Sequence, residues 1–276
     1  MTTSKPGGRK PTGATKKAAI FISVGALTLV LGAGFGLRSS RKAFSPPLEL
    51  RPGLWMSKVG GGVSVVVAQA GPHAIFFDTG MDAQLHGVDA LLVAAQRTRA
   101  DVSDIFVTHG HGDHTAGLAA FPRARVFAGA ADVDLIAGRA PPETFLPRVF
   151  GLLWSVPPGR VSDPLVGEGP RTIRVPDGKS VIAIPVPGHT PGSYAFVYDQ
   201  VLFPGDIMIL ENGQLAPTPG LFNPHPAQNL ASLRSLGRAL ADVPIDRVCT
   251  SHGGCTLSGQ GRPLLDGFLG SLPPAP

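Results

Sequence analysis

The stretch Thr108–Gly117, THGHGDHTAG, sets three histidines and an aspartate within the six residues from His109 to His114. Imidazole nitrogen and carboxylate oxygen are the donors that Zn2+ takes when it keeps a coordination position open for chemistry. Alternate residues of an extended segment face the same way, so His109 and His111 can share one ion while Asp113 and His114 turn toward another. A window this short is only half of such a site. The other donors must come from elsewhere in the chain, so the fold has to gather distant loops.

The surrounding pattern supplies those loops. GVSVVVAQ (residues 62–69) and AIFFD (74–78) read as a strand pair about an AGP turn, and MDAQLHGVDALLVAAQR, from Met81, carries apolar residues at helical spacing. DIFVT (104–108) is a short buried strand that ends where the histidine motif begins. Downstream, ARVFAG reads as strand, AADVDLIAG as helix, SVIAIPVPG and YAFVYD as strands, and PAQNLASLRSLGRALADV as a helix with proline in its first turn. Each remaining candidate donor falls just beyond a strand: His189 after SVIAIPVPG, Asp206 after VLFPG and His252 after RVCTS. The alternation argues for a layered α/β domain with its reactive groups in loops at strand ends.

The net charge of +5 and pI near 9.6 suggest a nucleic-acid partner until the charge is located. Residues 1–42 hold eight Lys and Arg and no acid, which leaves sixteen basic against all nineteen acidic residues, about −3, for the rest. The overall pI is therefore no argument for a basic groove. Residues 1–17 form a basic tail, and the twenty uncharged residues 18–37 would span roughly 30 Å as a helix, one bilayer. The apolar run is longer than a secretory signal normally needs, and no clean cleavage site precedes the basic residues after it. A retained single-pass anchor is therefore expected, with a secreted or periplasmic product if it is cleaved. Five positive residues precede the segment and three follow it, which favours a cytoplasmic N-terminus and an extracytoplasmic domain. Residues 38–47 read as a linker and 48–276 as the domain.

Cys249 and Cys255 are the only cysteines, and they fit either a disulfide or two free thiols. His73, in a turn, His86, in an amphipathic helix, and His225, before a helix start, read as unconnected with the site. The segment at residues 141–158, PPETFLPRVFGLLWSVPP, is unusually apolar. It either caps the core as a helix or forms a hydrophobic lip over the site, with Phe150 and Trp154 as candidate substrate contacts.

THGHGDHTAGL, PVPGHTPGSY, LFPGD and SHGG occur in the order and approximate spacing of the metallo-β-lactamase superfamily, and the set most resembles its glyoxalase II-like hydrolase branch. The resemblance covers roughly residues 48–266. It implies a four-layer αββα sandwich with two divalent ions at one edge, Zn2+ foremost and Fe or Mn as alternatives. By that resemblance His109, His111 and His189 hold the first ion, Asp113, His114 and His252 the second, and Asp206 bridges them. Asp78, in FFDTG, matches a carboxylate that orients a ligand histidine, and it also fits a turn cap at a strand end. A hydroxide shared by the two ions would form near neutral pH and attack an ester, thioester or lactone carbonyl, with Asp113 both ligating and orienting it.

Departures from the pattern narrow the branch. True β-lactamases of the superfamily lack the carboxylate found here at Asp206. Acyl-homoserine lactonases carry a tyrosine where this chain has Ile209. Glyoxalase II grips glutathione through a basic C-terminal region, whereas Arg262 is the sole base beyond His252. RNA-processing relatives need a positive surface, which the charge balance denies. Persulfide dioxygenases hold one iron through positions matching His109, His189 and Asp206, so an iron oxidoreductase stands as the alternative to a hydrolase acting on a small molecule. Oligomeric state is not legible.

Overall fold

In the computed structural model, which describes Met1 and residues 44–60, 62–82, 84–143 and 156–274, two β-sheets pack face to face. The first has seven strands in chain order: β1 (Leu48–Arg51), β2 (Leu54–Val59), β3 (Val63–Ala70), β4 (His73–Phe77), β5 (Val102–Phe106), β6 (Arg125–Gly129) and β7 (Asp163–Leu165). The second runs in the order β15 (Gly254–Cys255), β14 (Arg247–Thr250), β11 (Val201–Phe203), β10 (Tyr194–Tyr198), β9 (Ser180–Pro185) and β8 (Arg171–Arg174). A separate hairpin is formed by β12 (Met208–Glu211) and β13 (Gln214–Pro217).

Both faces of the central strands are apolar, and the period-two alternation divides them between two cores. Val66, Ala68, Ile75, Phe77 and Phe106 point into the space between the sheets, where they meet Tyr194, Phe196, Tyr198 and Phe203. Stacked rings fill that seam, with Phe77 on Phe203 at 3.9 Å and Phe106 on Phe127 at 5.0 Å between centroids. Truncating one of these phenylalanines to alanine costs about 3–5 kcal/mol. The alternate residues Val65, Val67, Phe76 and Ile105 face outward, under the helix α1 (His86–Ala94). On the far side Ala195, Val197, Leu202 and Val248 are covered by two further helices, Pro226–Ala239 and Gly261–Gly270. The layers are thus helix, sheet, sheet, helix.

Strand direction then sets where loops can converge. The pairs β1–β2, β2–β3 and β3–β4 are antiparallel, but β4, β5, β6 and β7 run parallel. Parallel neighbours end at the same edge, so the residues after β4, β5 and β6 leave together. In the second sheet β11 and β14 are parallel and share an edge likewise. The Tyr194 N–H donates to the Thr108 carbonyl at 2.8 Å and the Ser64 N–H to the Ser251 carbonyl at 2.8 Å, tying the two edges together.

Several elements differ from the sequence reading. The helix expected from Met81 begins at His86, because Asp82 accepts hydrogen bonds from the Gln84 and Gly87 N–H groups and Leu85 turns left-handed at φ 66°. AADVDLIAG yields only a 3-10 turn, Ala130–Asp132, and one helical turn, Val133–Ile136. The short strands β1, β2, β7 and β8 and the helix Gly261–Gly270, which buries Leu265 and Phe268, add to the elements read from the sequence. Cys249 and Cys255 face each other across β14 and β15 and form a disulfide. No helix among the described residues is long and apolar enough to cross a membrane; the segment expected to do so, residues 18–37, lies outside them.

Candidate metal centre

Each donor sits where a strand hands over to a loop, and the local backbone explains its direction. Beyond β5 the chain bends at Thr108 and again at Gly110, and His111, extended at φ −68° and ψ 149°, then precedes a single helical turn, Gly112–Thr115, closed by the His114 N–H on the His111 carbonyl at 3.0 Å. The bent segment carries His109 and His111, and the turn carries Asp113 and His114. His189 lies in the loop joining β9 to β10, Asp206 in a 3-10 turn after β11, and His252 between β14 and β15. Gly205 enters its turn at φ +62°, and a Cβ there would stand 2.8 Å from the Thr108 side chain. That glycine lets Asp206 approach the histidine loop.

All seven donors come together. His111 Nδ1 is 3.1 Å from His109 Nε2 and 3.0 Å from His189 Nε2. Two donors about 2.0–2.1 Å from one tetrahedral ion stand roughly 3.3 Å apart, so this triad is close to ligand spacing. His252 Nε2 and His114 Nε2 lie 3.5 and 3.7 Å from Asp113 Oδ2. Between the triads, Asp206 Oδ2 is 4.0 Å from His109 Nε2, 3.6 Å from His189 Nε2, 3.7 Å from His114 Nε2 and 3.2 Å from His252 Nε2. Three groupings could each hold an ion: His109, His111 and His189; His109, His114 and Asp206; Asp113, His114 and His252. Buried His114 Nε2 and Asp206 Oδ1 have no hydrogen-bond partner. Such orphaned donor atoms cost free energy unless something binds them, and a cation fits.

Asp78 reaches this cluster from β4. Held at φ 57°, it accepts from the Thr108 N–H and hydroxyl, each at 2.8 Å, and from His114 Nδ1 at 2.8 Å. Its bond fixes the His114 tautomer so that Nε2 is left facing Asp113 and Asp206.

The electrostatics divide the histidines. Burial holds His109 and His111 below the ordinary imidazole value and His189 down to about 4, so these three rings are neutral at pH 7. Burial opposes charge at His114 too, yet Asp78, Asp113 and Asp206 outweigh it and raise that ring well above the ordinary value. His252 is pushed up to about 10, first by Asp206, with burial opposing. Burial also works against the charged forms of Asp113 and Asp206, but His114 and His252 prevail and keep both carboxylates ionised.

A cavity of about 90 Å³ opens beside His111 and His189, walled by Leu135, Pro141, Pro191 and Glu143. Phe150 and Trp154, the expected substrate contacts, lie outside the described residues. His225, read as unconnected with the site, belongs to none of the donor groupings above and bonds Glu143 Oε2, on the cavity rim, at 2.7 Å. Sequence reasoning also passed over Asp132 and Thr190, which join the loops carrying the histidines; no pattern marks either.

The chain is 32% identical over 154 residues to the hydroxyacylglutathione hydrolase of Shewanella baltica, covering 55% of this chain and 48% of that protein. To the atrochrysone carboxyl ACP thioesterase of Emericella nidulans it is 24% identical over 149 residues, covering 53% and 40%. It spans about half the length of the curated relatives it matches. Among solved structures, the metallo-beta-lactamase SMB-1 in complex with mercaptoacetic acid superposes with a TM-score of 0.57 at 25% identity, over 75% of this chain and 80% of that one. BJP-1, a subclass B3 metallo-beta-lactamase of Bradyrhizobium japonicum, gives 0.55 at 22% identity over 77% and 80%, a likeness of fold alone. The model of the metallo-beta-lactamase superfamily matches residues 58–252, which takes in all seven donors, and the chain belongs to that superfamily.

Proposed function

We propose that the chain is a hydrolase dependent on two divalent metal ions and cleaves an ester, thioester or lactone carbonyl. The observation that carries this is Asp206, whose Oδ2 lies within 4.0 Å of nitrogens belonging to both histidine sets. A carboxylate so placed suits a bridge between two ions. His109, His111 and His189 would hold the first and Asp113, His114 and His252 the second. Imidazole and carboxylate donors favour zinc, with iron and manganese as the alternatives. When bound, the ions supply Lewis acidity and bring the pKa of water from 15.7 toward about 7.

This chain's residues do the rest. Asp113, ionised and within 3.7 Å of both His114 and His252, can accept a hydrogen bond from a water and orient it. The cavity is lined by the acids Asp132 and Glu143 and by no lysine or arginine among its described lining residues, which favours a substrate without a carboxylate beside the scissile bond. β-Lactam antibiotics carry one. The thioester class gains support from a relative named as a thioesterase. We place the domain outside the cytoplasm behind a membrane anchor at residues 18–37, a reading that the Cys249–Cys255 disulfide favours.

Metal analysis of the purified chain, with a screen of thioesters, lactones, β-lactams and phosphodiesters, tests the proposal. The expected result is turnover of a thioester, ester or lactone that a chelator abolishes and added Zn2+ restores. Stoichiometric iron with persulfide-dependent oxygen uptake would overturn it.

A further inference from the structure

Asp132 touches no candidate donor, yet it is bonded to the backbone on either side of them. It is 1% exposed. Its Oδ2 accepts from the Gly110 N–H at 2.7 Å and from the Thr190 hydroxyl at 2.6 Å, and its Oδ1 from the Gly192 N–H at 2.8 Å. Gly110 separates His109 from His111, and Thr190 follows His189. One carboxylate therefore clamps together the two loops that carry the whole first triad.

The space around it is cleared for that purpose. A Cβ on Gly110 would stand 3.1 Å from the Asp132 Cβ, and a Cβ on Gly192 would stand 2.6 Å from its carboxyl carbon. At Gly129, a Cβ would come within 2.1 Å of the Gly192 carbonyl oxygen. Three glycines thus let both loops close onto one acid. The second triad is steadied differently, by Asp78 bonded directly to the His114 ring.

We infer that Asp132 is a positioning residue for the first ion alone: by fixing the Gly110 and Thr190–Gly192 backbone, it sets the spacing of His109, His111 and His189. The inference rests on the metallohydrolase reading. Where that reading concerns chemistry and substrate, this one concerns the affinity of one half of the centre, so metal binding tests it without an activity assay.

The experiment uses the full chain in two backgrounds. In His252→Ala the first triad is the intact one, and in His189→Ala the second. Zn2+ affinity is measured in each by chelator competition, with and without Asp132→Asn. Asparagine keeps the shape but turns an NH2 toward at least one of the three donors. The expected result is a loss of roughly 10- to 100-fold in the His252→Ala background. In the His189→Ala background, where the two features share no partners, the change stays within about twofold. Equal losses in both backgrounds would show a general folding role and overturn the inference, as would no loss in either. A wild-type chain that binds no divalent metal overturns both readings, whereas wild-type uptake of two ions with equal losses overturns this one only. If Asp132→Asn does not fold, Thr190→Val removes one of the three bonds, and the same asymmetry, smaller in size, is required of it.

Discussion

The two triads of the centre are built on opposite electrostatic terms. His109, His111 and His189 are at most 7% exposed, kept neutral by burial, and set on loops tied together by Asp132. Asp113 and His252 have side chains 29% and 41% exposed, and with His114 and Asp206 they form a cluster of opposite charges. The first triad is thus ready for a cation, while the second must give up protons to receive one. A site can be symmetric in ligand count and still load unequally.

The largest expected effect removes what the two halves share. Asp206→Asn leaves the fold but weakens the bridge, and hydrolysis should fall by more than roughly 10³-fold, beyond the loss of a single oxyanion donor. Steady-state kinetics on whichever carbonyl substrate the screen identifies would measure it.

A change confined to one half comes next. Asp78→Asn weakens the bond that orients His114, so affinity at the second triad should drop about 10- to 100-fold. The Thr108 hydroxyl, which bonds Asp78, also lies 3.2 Å from His109 Nδ1, so a small effect on the first triad is expected too. Stepwise chelator competition separates the two affinities, and a larger loss at the first triad would break the comparison.

Proton release provides the third test. In the metal-free protein His114 is raised above the ordinary value of 6.5 and His252 to about 10, so a cation binding there displaces protons, and affinity rises by roughly tenfold per pH unit for each one. At the first triad, with His189 at about 4, affinity should be nearly flat above pH 6.5. Stability of the metal-free chain follows the same signs. Charged His252 stabilises the fold fully below about pH 6.5, and its contribution is lost as pH rises through about 10. Neutral, buried His189 acts oppositely, since below about pH 6.5 the unfolded ring binds a proton that the folded one refuses, and stability falls toward pH 4. Calorimetric titration in buffers of different ionisation enthalpy, with thermal melts across the same range, would expose either sign as wrong.

The smallest effect concerns the cavity. Glu143→Gln removes the more exposed of its two lining carboxylates, the other being buried Asp132, and turnover of substrates bearing a nearby carboxylate should improve by a few-fold relative to neutral ones. An unchanged ratio would remove Glu143 from the account of specificity.

Much of this was legible before any coordinates. His109, His111, Asp113 and His114 announce themselves by density, and His189, Asp206 and His252 by their place after apolar strands, because loops at strand ends are where a layered α/β fold presents polar groups. Asp132 could not be read, since its role depends on Gly110 and Gly192 arriving from opposite sides in space. The same holds for the His225–Glu143 pair, whose members are 82 residues apart. Helix boundaries slipped at His86 because Asp82 bonds local backbone N–H groups ahead of the first turn, a competition that hydrophobic periodicity does not register.

The central claim is that Asp206 joins two ions into one centre, and native mass spectrometry of the zinc-loaded chain beside its Asp206→Asn variant tests it most directly. Two ions on the wild type and one or none on the variant is the predicted result. One ion on both, with hydrolysis undiminished in the variant, would contradict the account.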